Sequence, residues 1–565
     1  MAVEADLRRI VETERERFAV PGCAVVVVAG GEVVLCDGFG SRDLERGLPV
    51  TAGTLFPVGS STKTFTAALC AVLVDEGTLA WDRPVRDYLP QLRLADPAAG
   101  QLTVFDLLCH RSGLPRHDLL WYAGRDTLTR DDLLRALPHL PPSREFRQAW
   151  QYNNLLYTVA GILAGQLAGA GSYEIAVRER LLDPLGMART NFSVEQTGAD
   201  PDAAWPYVAP APGEPVKAVR YARLDLVAPA GAINSSVADL APWLLTLLGH
   251  GVGGRPPLLS GSVLAPLRHP AAPLPDGSQL AVGTPVGYGL GTIVEDYRGH
   301  RIVHHGGNID GFSCQVSTVP EADVGVAVLS NRDGTMLRDV VPCLVYERLL
   351  GLTPSGLGER LLAKEVAIHR GRGQHRERTG TATAGLPAVR PLSDYAGRYR
   401  HPGYGDLVID VDGAGLVGRY LSLTGPLRHR HLEVFNLVVD LGGIETPLPV
   451  QFFHDLDGQV SAAELPAEPA VPPVRFDRVA DTGHLTGELL DRLAGAYRMG
   501  PLTATVTRRG PAGLVARIVE GPFQELIPVR GLVFRSGAGS GGRVEFTEDG
   551  RLVTQAGEFT RTAPG

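Results

Sequence analysis

The sequence has 565 residues, of which 44% are hydrophobic, with a net charge of −8 and three lysines against 51 arginines. This length predicts several domains. The negative charge argues against nucleic acid or an anionic membrane as the main partner, and no apolar run approaches the roughly 20 residues of a membrane span.

The N-terminus is charged and lacks the apolar segment of a signal peptide. Its apolar residues recur at helical spacing (Val3, Leu7, Ile10, Val11 and Phe18), which predicts an amphipathic helix. We therefore expect a cytoplasmic chain, unless an export signal has been removed. The six cysteines form no Cys-x-x-Cys pair, so we expect reduced core residues and no metal site.

The elements that follow predict one antiparallel sheet that shares its faces with helices. Two β-branched runs on either side of Gly30-Gly31 predict a β-hairpin. The pattern after Ser60 predicts a helix that ends at Gly77. Further patterns predict helices at 103–109, 131–137, 153–168, 237–249 and 336–350, and strands at 301–303, 312–319 and 324–330. Residues 1–355 are therefore predicted to be an α/β (α+β) domain with an antiparallel sheet and an all-helical region.

The remainder of the chain has a different pattern. Residues 356–390 are basic and then Thr/Ala-rich, which predicts a solvated linker. Short alternating strands with Gly and Asp turns follow. Tyr395-Ala396-Gly397-Arg398-Tyr399-Arg400 is similar to Leu493-Ala494-Gly495-Ala496-Tyr497-Arg498, about one hundred residues later. We predict two small antiparallel β-barrels, at 391–479 and 486–562.

One of the three lysines follows a serine by three residues, in Ser60-Ser61-Thr62-Lys63. On the first turn of a helix this spacing places both side chains on one face. Lysine, unlike arginine, can lose its proton when it is buried, and it can then activate the serine for attack on a carbonyl. The alternative is a solvated lysine beside a helix-capping serine.

Two downstream motifs extend this pair. In Tyr152-Asn153-Asn154, the tyrosine could relay a proton and the Asn154 amide could hold the substrate or Lys63. His304-His305-Gly306-Gly307 directly follows a predicted strand, where glycines let a substrate backbone approach closely. Each motif alone is more typical of ordinary surface or turn structure.

Together, the three motifs resemble those of the serine β-lactamase and penicillin-binding-protein superfamily. Further segments of the first 350 residues are similar to its class C-type branch: Gly38-Phe39-Gly40, Leu107-Leu108-Cys109-His110-Arg111-Ser112-Gly113-Leu114-Pro115, Pro229-Ala230-Gly231-Ala232-Ile233 and Gly287-Tyr288-Gly289-Leu290-Gly291. The third motif begins with His304 instead of lysine, as in D-aminopeptidases and in archaeal self-compartmentalising serine peptidases with a lipocalin-like C-terminal domain. The resemblance implies a β-lactamase/transpeptidase-like domain followed by two lipocalin-like barrels.

The resemblance also implies roles for individual residues. Ser60 would be the nucleophile and Lys63 its base, while Tyr152 would return the proton to the leaving group. Asn154 would orient Lys63 and the substrate, and His304 would hydrogen-bond Tyr152 or the far end of the substrate. The backbone N–H groups of Ser60 and Gly307 would form the oxyanion hole. Candidate substrate-binding residues are Gly306, His305 and Asp310.

The implied function is a cofactor-independent serine hydrolase or acyltransferase that cleaves amides or esters, as in D-amino-acid-containing peptides or small amides. An alternative is a thioesterase, peptide cyclase or amide-forming transacylase of natural-product biosynthesis, because the motifs are the same for both. A third alternative is a non-catalytic binding protein on the same fold. The expected partner is a small peptide, amide, ester or thioester, with no nucleic acid or membrane, and a homo-oligomer is possible.

Overall fold

The computed structural model describes residues 2–209, 214–275, 278, 282–381, 383, 385–456, 458–480, 483, 485–510, 513–519, 521–537 and 542–562. The helices are α1 Ala2–Arg17, α2 Thr62–Asp75, α3 Val104–Leu108, α4 Asp118–Gly124, α5 Arg130–Ala136, α6 Asn154–Leu167, α7 Tyr173–Val177, α8 Asp183–Leu185, α9 Val194–Ala199, α10 Ala228–Gly231, α11 Val237–Leu248, α12 Gly261–Arg268, α13 Leu337–Leu349, α14 Leu357–Gly380 and α15 Gly487–Leu493.

The strands of the first domain are β1 Gly22–Ala29, β2 Glu32–Asp43, β3 Leu48–Pro49, β4 Phe56–Pro57, β5 Tyr207–Val208, β6 Lys217–Ala218, β7 Asn234–Ser235, β8 Thr284–Tyr288, β9 Ile293–Tyr297, β10 His300–Ile309, β11 Phe312–Val319 and β12 Val324–Ser330. Eight of them form one antiparallel sheet in the order β3-β2-β1-β12-β11-β10-β9-β8.

The central strand β1 reads Gly-Cys-Ala-Val-Val-Val-Val-Ala because both of its faces are buried. Val25 and Val27 pack with α1 and α13, whereas Ala24, Val26 and Val28 pack with residues of α2 and α11 on the other face. We call these the outer face and the inner face of the sheet. The antiparallel sheet and the all-helical region that the sequence predicted are confirmed.

Helix α2 lies at the inner face and is apolar around most of its circumference, as expected for a helix buried in a core. A 3-10 turn, Gly59–Ser61, precedes it. The chain leaves the helix at Gly77, which has a φ of 74°. This left-handed conformation is the usual end of a helix and carries little cost for glycine.

The C-terminal part folds into two closed eight-stranded barrels. The first contains β13 Gly397–His401, β14 Gly405–Asp412, β15 Gly415–Tyr420, β16 Leu423–His431, β17 Val434–Leu441, β18 Ile444–His454, β19 Val460–Leu465 and β20 Val474–Val479. The second contains β21 Gly495–Met499, β22 Leu502–Arg509, β23 Gly513–Ile518, β24 Gln524–Arg530, β25 Val533–Ser536, β26 Arg543–Phe546, β27 Leu552–Thr554 and β28 Gly557–Arg561.

Both predicted barrels are thus confirmed, although residues 511–512, 520 and 538–541 of the second lie outside the described residues. The predicted linker contains the 24-residue helix α14. The motif shared by the barrels has the same structural role in each: the Tyr399 hydroxyl donates to the Tyr395 carbonyl, and the Tyr497 hydroxyl donates to the Leu493 carbonyl, both over 2.7 Å.

The first barrel packs directly against the first domain. The Ser422 backbone N–H donates to the Ala123 carbonyl over 3.0 Å, and the Ser422 hydroxyl donates to the same oxygen over 2.7 Å. A contact joins the barrels to each other, between Arg535 and Asp455. Within the described part of the chain, no helix is long and apolar enough to cross a membrane.

Candidate active site

Ser60 lies in the turn that leads into α2, on the inner face of the sheet. The preceding Gly59 has a φ of 50°, and a Cβ added to it would lie 3.3 Å from the backbone nitrogen of Asn308 in β10. A Cβ on Gly307 would lie 2.0 Å from the Val58 carbonyl oxygen and 2.9 Å from the Ser60 nitrogen. Glycines on both sides therefore let the strand and the serine turn approach each other backbone to backbone.

Lys63 is fully buried and follows Ser60 by three residues in the chain, with its amine beside the serine hydroxyl. Its Nζ lies 3.1 Å from Ser60 Oγ, 2.8 Å from Asn154 Oδ1 and 2.8 Å from the Ala230 carbonyl oxygen. Burial lowers the pKa of Lys63 well below its ordinary value, and the charge of Arg116 lowers it further. A lysine in this environment can accept the serine proton.

Tyr152 lies on the other side of this pair, in the loop before α6. Its phenol is hydrogen-bonded to Ser60, and burial raises its pKa to about 12 in spite of that bond. Lys63 Nζ lies 4.7 Å and the Arg116 guanidinium carbon 4.8 Å from the centroid of the ring. The phenol therefore keeps its proton at neutral pH and is able to donate it.

Asn154, the first residue of α6, is held by a carboxylate that the sequence did not single out. Asn154 Nδ2 donates to Asp118 Oδ1 over 2.9 Å, which turns the amide oxygen toward Lys63. Asp118 also accepts hydrogen bonds from Arg116 over 2.5 Å and from the Trp121 indole over 2.6 Å. Because a carboxylate only accepts, it determines which end of the amide faces the lysine.

The structure does not bring His304 to this site. In β10, residues 302, 304 and 306 face outward, and His304 Nδ1 is bonded to Gln315 Nε2 over 2.8 Å. His304 Nε2 lies 3.6 Å from Glu295 Oε1. The hydrogen bond expected from His304 to Tyr152 is therefore absent, because successive side chains of a strand point to opposite faces.

The next residue, His305, takes the inner face instead. Its ring centroid lies 6.2 Å from that of Tyr152, and Lys63 is close enough for its charge to lower the pKa of His305, after the larger effect of burial. His305 Nδ1 donates to the Gly306 carbonyl over 2.7 Å, because a carbonyl can only accept. Nε2 of the neutral ring therefore accepts from the Tyr288 hydroxyl over 3.0 Å.

The other predicted site residues are distributed around this centre. Gly306 faces outward with His304, since a Cβ there would lie 2.6 Å from Gln315 Oε1. Asp310 lies beyond the end of β10, and its carboxylate accepts from the Tyr122 hydroxyl over 2.8 Å. A Cβ on Gly442 of the first barrel would lie 2.9 Å from that carboxylate. Asp310 is therefore at the boundary between the site and the barrel.

Sequence reasoning did not assign a site role to Arg116, Asp118, His110 or Tyr288. His110 is buried with its ring centroid 4.5 Å from that of Tyr152, and its Nδ1 accepts from the Asn153 N–H over 3.2 Å. Three of the four belong to or adjoin segments that resemble the superfamily, which was the available signal. In the described part of the chain, no group of three His, Cys, Asp or Glu side chains is placed to hold a metal ion.

Comparison with known families agrees with this geometry. Residues 7–342 match the family described as Beta-lactamase, and because this is more than half of the chain, the protein belongs to that family. The resemblance to the β-lactamase and penicillin-binding-protein superfamily is thus confirmed. Residues 381–478 match a domain of unknown function, DUF3471, which covers nearly all of the first barrel.

Individual relatives extend over different shares of the chain. Unguisins hydrolase ungD' of Aspergillus campestris is 28% identical over 88% of this chain and 96% of its own length. The octameric penicillin-binding protein homologue from Pyrococcus abyssi is 24% identical and covers 84% of this chain and 99% of its own, with a TM-score of 0.55. A D-stereospecific amidohydrolase from Streptomyces sp. is 24% identical and covers 62% of this chain and 99% of its own, with a TM-score of 0.50.

Proposed function

We propose that this protein is a serine hydrolase that cleaves amide or ester bonds through an acyl-enzyme on Ser60. The observation that carries the proposal is the fully buried Lys63, whose Nζ lies 3.1 Å from Ser60 Oγ and whose pKa is lowered by burial. A lysine that only capped a helix or balanced surface charge would have no reason to be buried against a serine hydroxyl.

The reaction follows from the positions of the protons. Ser60 Oγ attacks the carbonyl carbon while Lys63 Nζ accepts the hydroxyl proton. The Tyr152 phenol donates its proton to the leaving group as the scissile bond breaks, and the proton held on the Lys63 ammonium then replaces the one that Tyr152 gave up. Water then attacks the acyl-enzyme, with the same groups removing its proton and returning it to Ser60.

Two backbone N–H groups would stabilise the tetrahedral oxyanion. The Ser60 N–H is the first, and the Gly307 N–H in β10 is the proposed second. The close approach of Gly307 to the serine turn supports this assignment. Loss of one such donor typically costs about 10²–10³ in rate.

The substrate class is proposed from the relatives. One is named a hydrolase of unguisins and another a D-stereospecific amidohydrolase. We infer that the acyl group comes from a peptide or small amide that contains D-residues. The octameric relative supports a homo-oligomer, and the cytoplasmic location stays a prediction.

Intact-protein mass spectrometry tests the proposal. The full chain and its Ser60→Ala variant are incubated with an activated ester of D-alanine and with its L-enantiomer. We expect a mass gain of one alanyl group on the wild type only, larger for the D-ester, which then decays in water. An adduct that decays only when an amine is added would indicate a transacylase, and the absence of any adduct would favour a binding protein.

A further inference from the structure

The first barrel contacts the loop of the first domain that carries Arg116 and Asp118. Between these two residues lies His117, which is fully buried and has left-handed backbone angles of φ 49° and ψ 35°. A non-glycine residue adopts this conformation only when its surroundings hold it there. The contacts of His117 therefore determine where its two neighbours point.

Two of those contacts come from the barrel. The His117 backbone N–H donates to Glu468 Oε2 over 2.7 Å, from the loop between β19 and β20. The His117 ring nitrogen Nε2 donates to the Pro141 carbonyl over 3.1 Å, so Nδ1 must accept from the Tyr404 hydroxyl over 2.6 Å. Tyr404 lies between β13 and β14.

Both barrel residues are built into the interface. Tyr404 is fully buried and Glu468 is 5% exposed, and the second carboxylate oxygen of Glu468 accepts the Ala470 N–H over 2.9 Å. The Glu468 carboxylate is therefore held by its own loop as well as by its contact with His117. Buried hydrogen bonds of this kind are costly to leave unmade.

Arg116 and Asp118, on either side of His117, contact side chains of the active site. Arg116 lies over the Tyr152 ring, and Asp118 holds Asn154 so that its oxygen faces Lys63. We propose that the first barrel is a positioning element of the active site: Glu468 and Tyr404 hold His117, and His117 places Arg116 and Asp118. This inference rests on the proposed function of the site, and it gives the barrel a role in the rate of the chemical step.

The test measures acylation by the activated D-alanine ester in a stopped-flow experiment on full-length variants. Tyr404→Phe removes the hydroxyl that Nδ1 accepts from, and Glu468→Ala removes the acceptor of the His117 N–H. We expect each to lower the acylation rate constant by about 10- to 100-fold, with a much smaller change in KM. Glu468→Gln keeps an oxygen acceptor and should be closer to wild type than Glu468→Ala.

Ser422→Ala is the matched control, because it removes a hydrogen bond across the same interface without touching His117. We expect it to acylate at the wild-type rate. Wild-type rates in Tyr404→Phe and Glu468→Ala, or an equal loss in Ser422→Ala, would overturn the proposal. If Glu468→Ala does not fold, Tyr404→Phe carries the test.

A crystal structure of Tyr404→Phe gives a readout that needs no activity. We expect Asp118 to leave hydrogen-bonding distance of Asn154 Nδ2, and an unchanged loop would overturn the proposal. If the wild type itself forms no acyl-enzyme, the proposed function fails, while the crystal structure still decides whether the barrel positions the loop.

Discussion

His304 and His305 are neighbours on one strand, but they lie in two different regions of the molecule. His305 faces inward to Tyr152 and Lys63, among groups that contact Ser60. His304 faces outward to Gln315 and Glu295, beneath α13. The two histidines are both nearly buried, so burial alone does not distinguish a residue of the site from a residue of the core.

The two regions differ in how burial shifts the pKa values of their titratable groups. On the inner face, burial lowers the pKa of Lys63 and raises that of Tyr152, so that one group can accept a proton and the other can donate one. On the outer face, burial lowers the pKa of His304 to about 4 and raises that of Glu295 to about 7. His304 is therefore neutral at neutral pH, and its contact with Glu295 is not an ion pair.

The largest effect is expected from Lys63→Arg on the inner face. Arginine keeps its proton in a protein, so it cannot accept the proton of Ser60. We expect the acylation rate to fall by about 10²–10⁴-fold, the contribution of a general base. The check is the rate of adduct formation by mass spectrometry, with Lys364→Arg, at a half-buried position of α14, as the control. Turnover near wild type in Lys63→Arg would refute the role of Lys63 as base.

A smaller effect should separate the two histidines. His305→Ala removes the ring that lies beside Tyr152 and accepts from Tyr288, and misplacement of these groups should lower kcat by about 10²-fold. His304→Ala should leave kcat within a few-fold of wild type, although both variants lose thermal stability through the cavity they create. Steady-state kinetics and thermal unfolding of the two variants give the comparison. An equal loss of kcat in both variants would contradict the prediction that only the inward-facing histidine supports catalysis.

The smallest effect on rate, and a distinct effect on stability, is expected from Glu295→Gln. The carboxyl of Glu295 titrates near 4.5 when unfolded and near 7 when folded. Between these pH values the folded state binds the proton more tightly, so the wild type loses stability as pH rises through this window, by about 3 kcal/mol. The Glu295→Gln variant has no such loss of stability. The wild type and the variant share the contribution of His304 to stability, which is lost as pH falls from 6.5 toward 4.

Thermal unfolding at pH 5 and pH 7.5 measures this difference. Relative to the wild type, Glu295→Gln should gain stability at pH 7.5 compared with pH 5, with kcat unchanged. The same difference between the two proteins at both pH values would contradict the prediction.

Much of the fold could be predicted from the sequence because its signals are local. The valine run of β1, the apolar surface of α2 and the repeated Tyr-containing motif of the barrels each lie within one element. The serine and lysine could be paired for the same reason, since a spacing of three on a helix brings two side chains together whatever surrounds them.

Which histidine of the third motif faces the site could not be predicted in this way. Two adjacent histidines both fit the pattern, and a shift of one residue moves a side chain to the other face. The pairing of His304 with Ile293 of β9 and Ser317 of β11 sets the register, and both partners lie outside the motif itself.

The sequence by itself determined the family, the two barrels and the Ser60–Lys63 pair, because these depend on periodicity and on contacts between near neighbours. Only the tertiary structure decided that His305 faces the site, that Asp118 orients Asn154, and that Glu468 and Tyr404 reach His117 from the first barrel. Glu468 and His117 are 351 residues apart. No local pattern specifies such a contact, since it exists only when the first barrel packs against the first domain.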